Sequence, residues 1–71
     1  MTPGTRAAIV LRYLDRTGPT SPEALCDLLT TERALPGELD PSRVRSSLYR
    51  LCRAGRAERR GDGLYASRRL R

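Results

Sequence analysis

A chain of 71 residues with 38% hydrophobic and 31% charged positions, three Tyr and no Phe or Trp has material for one small domain with a thin core. No apolar run approaches the ~20 residues of a membrane span. The start Met1-Thr2-Pro3-Gly4-Thr5-Arg6 lacks the charged-then-apolar order of a secretion signal, so a soluble, cytoplasmic product is expected.

Residues 5–16 predict a first helix. Ala7, Val10, Leu11 and Leu14 recur at i, i+3, i+4, i+7 as one apolar stripe, with Arg12, Asp15 and Arg16 off it. Thr2 or Thr5 can cap the start, and Gly18-Pro19 stops the helix. Ser21-Pro22-Glu23 opens a second helix, residues 21–30. The serine hydroxyl accepts an orphan N–H, proline at the first helical position gives up a donor that would be unpaired anyway, and Glu23 sits at the positive end of the dipole. Leu25, Leu28 and Leu29 face inward, with Cys26 at the edge.

Periodicity is lost over residues 30–39. Pro36-Gly37 marks a turn, Leu35 and Leu39 can pin the segment to the core, and an extra helical turn after Glu32 stays open. Asp40-Pro41 repeats the cap-then-proline device and begins a third helix, residues 41–54. Its stripe is Val44, Leu48 and Leu51 with Cys52 beside them, and Ala54-Gly55 is its stop. Residues 57–66 predict a β-hairpin turning on Gly61-Asp62-Gly63, where Asp-Gly implies a tight turn with positive φ at both central positions. The tail, residues 67–71, is basic and expected to fray. The fold class is α+β, mostly α: a three-helix bundle with a C-terminal hairpin, one domain over residues 1–71.

Constellations for catalysis are missing. With no His, the usual general acid or base near neutral pH is absent. Cys26 and Cys52 have no Cys or His neighbour at a metal-ligand spacing and read as small buried hydrophobes. No enzymatic activity, metal, cofactor or small-molecule ligand is expected.

Charge carries the functional signal. All 14 basic residues are Arg, and the net charge is +6. Residues 1–40 hold four Arg against six acids, and residues 41–71 ten Arg against two. Such asymmetry marks a half that meets a polyanion, or else a solvated basic surface. Projected at about 100° per residue, the third helix turns Ser42, Ser46, Arg50 and Arg53 away from its apolar stripe, flanked by Tyr49 and Arg43. No acid falls on that outward side. Short serines let a helix approach a groove closely, and guanidinium forks reach guanine O6/N7 or phosphate, so base specificity is expected from Arg43, Arg50 and Tyr49. Arg45 lies at the margin of the stripe and is expected to meet a phosphate or an acid of the second helix such as Asp27. Arg59 and Arg60 in the hairpin, with Arg68 and Arg69 in the tail, are candidates for backbone phosphate contact, which positions without reading sequence, or serve solubility alone. Tyr13 and Tyr65 read as core-edge aromatics.

Together, Val10-Leu-Arg-Tyr-Leu14, Gly18-Pro19-Thr-Ser-Pro-Glu-Ala-Leu25, the segment Val44 to Leu51, Ala54-Gly55 and Gly61-Asp62-Gly63 resemble the winged helix-turn-helix superfamily over roughly residues 7–66. The resemblance implies a third helix in the DNA major groove and a hairpin wing on the backbone or minor groove. That in turn implies a sequence-specific double-stranded DNA-binding protein in transcription regulation. Two features depart from the pattern: the connection before the third helix is about ten residues where a few are usual, and Arg56 follows Gly55 where an apolar residue is usual. One such module buries only ~600–1,000 Å² on DNA, so useful affinity calls for a homodimer on a two-fold site, joined through the first helix or residues 30–39. The alternatives are a winged-helix module docking an acidic protein partner, and RNA or ribosome binding through the tail arginines. The scarcity of stacking aromatics weighs against the latter.

Overall fold

Three helices and a hairpin fill residues 5–68, the part of the chain described by the computed structural model. They are α1 (Thr5–Thr17), α2 (Pro22–Thr31), α3 (Pro41–Arg53), β1 (Ala57–Arg59) and β2 (Tyr65–Ser67). This is the expected three-helix bundle with a C-terminal hairpin wing, each boundary lying within a residue or two of its expected place. Ser21 and Ala54 are caps outside the helices rather than members of them, and Asp40 is the cap it was expected to be. Thr5 is already helical, so it is not the cap of α1, and Thr2 lies outside the described residues. Among the described residues, no helix is long and apolar enough to cross a membrane.

Capping follows the sequence closely. Ser21 Oγ accepts from the Ala24 amide at 3.1 Å and Asp40 Oδ1 from the Arg43 amide at 2.8 Å, each followed by proline in the first helical turn. At the other ends, α1 stops on Gly18, whose amide donates to the Leu14 carbonyl at 3.0 Å from a left-handed backbone (φ 75°). The helices α2 and α3 end in matching pairs of bonds. Arg33 and Ala34 donate to the Thr30 and Leu29 carbonyls, and Gly55 and Arg56 donate to those of Cys52 and Leu51.

The apolar stripes converge on Val10, Leu14, Leu25, Leu29, Val44, Leu48 and Leu51, all essentially sealed from solvent. Two expectations for the core need correction. Cys26 faces inward while Leu28 is only half-buried, and Ser47, unassigned by the sequence pattern, is buried on α3. Leu11 is also half-buried, and Tyr13 and Tyr65 pack at the core edge as expected. The Tyr13 hydroxyl donates to Glu32 at 2.8 Å, and Arg16 lies over the ring and 3.5 Å from the same carboxylate, tying α1 to the end of α2. The phenol is held above its ordinary value, chiefly by that hydrogen bond to Glu32.

The 30–39 segment forms no extra helical turn. Ala34 and Leu39, rather than Leu35 and Leu39, pack against the core, and the Cys26 thiol donates to the Leu39 carbonyl at 3.8 Å. The ten-residue connection is therefore anchored close to Asp40, and α3 still crosses both other helices.

In the hairpin, Ala57 pairs with Ser67, Glu58 with Ala66 and Arg59 with Tyr65. Arg56 points to solvent and Ala57 takes the inward place, so the departure at residue 56 leaves β1 packed along α3. The turn differs from expectation. Arg60 donates to the Leu64 carbonyl at 2.7 Å, Gly63 donates back to Arg60 at 3.2 Å, and of Asp62 and Gly63 only Gly63 has positive φ (83°). This is the three-residue loop closing on a left-handed glycine, with Asp62 turning its carboxylate to the Leu64 amide. Residues 67 and 68 are not frayed: Ser67 belongs to β2, and the Arg68 amide donates to the Arg56 carbonyl at 2.8 Å, while residues 69–71 lie outside the described residues.

One pairing has no counterpart in the sequence reading. Thr20 and Tyr65 exchange both backbone bonds, at 2.9 and 2.8 Å, as an isolated antiparallel bridge. The connection between α1 and α2 thereby adds a third, one-residue strand to the hairpin and fastens the wing to the helical body.

Candidate nucleic-acid interface

The outward face of α3 is open. Ser42, Arg43, Arg45, Ser46, Tyr49, Arg50 and Arg53 are all exposed. Tyr49, at 59%, is the exposed large hydrophobic residue of the described chain. The face is left open because the buried positions of α3, Val44, Ser47, Leu48 and Leu51, lie on its other side.

Between α3 and the hairpin runs a shallow open groove of about 580 Å³, lined by Ser42, Arg45, Ser46, Tyr49, Arg50, Arg59 and Tyr65. Its far wall follows from register: paired residues of an antiparallel ladder project to the same side, so Arg59 and Tyr65 share one face of the wing. Five of the sequence-assigned helix residues and one of the wing residues thus meet in one place. The others stand apart. Arg43 is beside Asp40 (3.9 Å), Arg53 lies against the Tyr49 ring (5.8 Å to its centre), and Arg60 is beside Glu58 (3.9 Å). Arg68 sits exposed at the base of the hairpin, and Arg69 lies outside the described residues.

Arg45 finds an acid of α2, as expected, but the acid is Glu23 rather than Asp27: its Nη2 donates to Glu23 Oε2 at 3.0 Å. Among the described residues no carboxylate pairs with Arg50, Arg53 or Arg59, so these carry uncompensated positive charge. One groove-lining residue, Tyr65, and one acid beside the groove, Glu23, have no site role in the sequence reading. The sequence places Tyr65 at the core edge alone; its position opposite Arg59 follows from a cross-strand register that local sequence does not encode. Glu23 was read only as a helix-start residue, and its proximity to Arg45 depends on a tertiary crossing with no sequence signature.

Chemically the site offers hydrogen-bond donors and a flat aromatic surface, and no acid-base pair. Burial pushes the nearby Cys52 thiol above its ordinary range, which disfavours the thiolate. Both Cys26 and Cys52 are free, and among the described residues no cluster of His, Cys, Asp or Glu could hold a metal. No protein-family model, no curated protein and no solved structure matches this chain.

Proposed function

We propose that this protein binds double-stranded DNA as a small transcription regulator, α3 lying in the major groove with the hairpin wing on the sugar-phosphate backbone. The observation that supports the reading is the open, acid-free face of α3 together with the Arg59-bearing wall that turns it into a groove. A helix is the element the major groove admits, and Ser42 and Ser46 keep its leading turns slender. Arg50, unpaired and central, is the residue for a guanine edge. Arg53, Arg59 and Arg68 are placed for phosphates.

Because the internally paired arginines release few counterions, duplex binding should weaken with salt at a log–log slope of about −3 to −4, from ~0.9 for each of Arg50, Arg53, Arg59 and Arg68, the interface arginines without an ion pair among the described residues. Titration of a labelled mixed-sequence duplex at several salt concentrations measures this. Arg50→Glu should abolish retention while leaving the melting curve intact. A native slope near zero, or binding indifferent to Arg50→Glu, would refute the proposal.

A further inference from the structure

Among the arginines lining the groove, Arg45 is the one the protein already engages. Glu23 holds it at 3.0 Å, and among the described residues this is the single ion pair involving a groove-lining arginine. Both side chains are more than half exposed, 52% and 61%, and exposed pairs add little to stability. The contact's larger effect is on the electric field of the groove: it cancels one cation and sets a carboxylate at the rim. Resting on the DNA reading above, we infer that Glu23 is a specificity determinant. It withholds Arg45 from phosphate and so lowers affinity for duplex of arbitrary sequence, whose binding is nearly all phosphate neutralisation. Base-reading contacts of Arg50, which has no such partner, are left untouched, and the ratio of specific to non-specific affinity rises.

A double-mutant cycle on the full chain, read by duplex titration against salt, tests this. Glu23→Gln should bind a mixed-sequence duplex more tightly with a slope steeper by ~0.9, an advantage over the native chain that shrinks about threefold between roughly 50 and 200 mM salt. Arg45→Gln should bind more weakly than native, since Glu23 then faces the phosphates uncompensated. The double variant should return to the native slope. Thermal melting of each variant checks that the fold is intact, and Glu23→Asp, which keeps the charge, should keep the native slope. An unchanged slope in Glu23→Gln, or a double variant as weak as Arg45→Gln, overturns the inference while leaving the DNA reading standing. Failure of the native chain to bind any duplex at low salt removes both.

Discussion

Arg33 and Gly55 occupy the same place in two successive helix ends, yet only one suits it. Each sits just past its helix with a left-handed backbone, φ 51° and 76°. Glycine adopts that conformation freely, whereas a residue with a Cβ strains against its own carbonyl. Replacing Arg33→Gly should therefore raise stability by about 0.5–1 kcal/mol, net of the extra freedom glycine gains in the unfolded chain. Gly55→Ala should lower it by about 1 kcal/mol. Nothing lies within 4 Å of a Cβ built at Gly55, so the cost is conformational rather than steric. Thermal melting of both variants checks the pair; equal and opposite shifts of a few degrees are the expected result for a domain of this size. At this scale the sequence was legible where a residue's role is intrinsic, as for Gly55 and Gly18. It was silent where the role is imposed by the fold, as for the backbone of Arg33 and the partner of Arg45.

Elements were read well because their signals are local. The caps Ser21 and Asp40 work within three residues of themselves, so Ser-Pro and Asp-Pro place the starts of α2 and α3 without reference to the rest of the chain. Asp40→Ala should cost about 1 kcal/mol. It should also expose the Arg43 amide to faster hydrogen exchange than the amides of the middle of α3, loosening the turn that presents Ser42 and Arg43. Protected exchange at Arg43 in that variant would show the cap to be dispensable. The hairpin was placed correctly and its turn misread, because Asp-Gly fits a two-residue loop as well as the last two positions of a three-residue one. What chooses is the cross-strand register, Arg59 opposite Tyr65, which local sequence does not encode. The Thr20 bridge was illegible for the same reason: a strand of one residue has no period to detect.

At the scale of the molecule, seven fully buried aliphatic side chains among the described residues carry the core. A chain of this length has roughly 4–10 kcal/mol of total stability. Leu48, sealed at 0% exposure on α3, cannot be truncated cheaply: Leu48→Ala should cost about 2–5 kcal/mol. The expected outcome is a melting transition broadened or lost near physiological temperature, followed by circular dichroism; a sharp native-like transition would mean the core tolerates the cavity. The candidate interface was legible at this scale through charge, since ten of the arginines fall after residue 40. Its boundary was not, because Tyr65 and Glu23 join or edge the groove only through the crossing of α3 with the wing and α2.

The two hydrogen bonds between Thr20 and Tyr65 have a mechanical corollary. They seize the return strand at its first residue, directly opposite Arg59, and leave only the Arg60–Leu64 tip as overhang. A load applied to that tip therefore has a second path into the helical body, through Thr20 to the very start of α2, besides the covalent one through Gly55 to α3. The Arg59 wall of the groove is thereby held to the helical body from both strands, by β1 packed against α3 and by β2 bonded to Thr20.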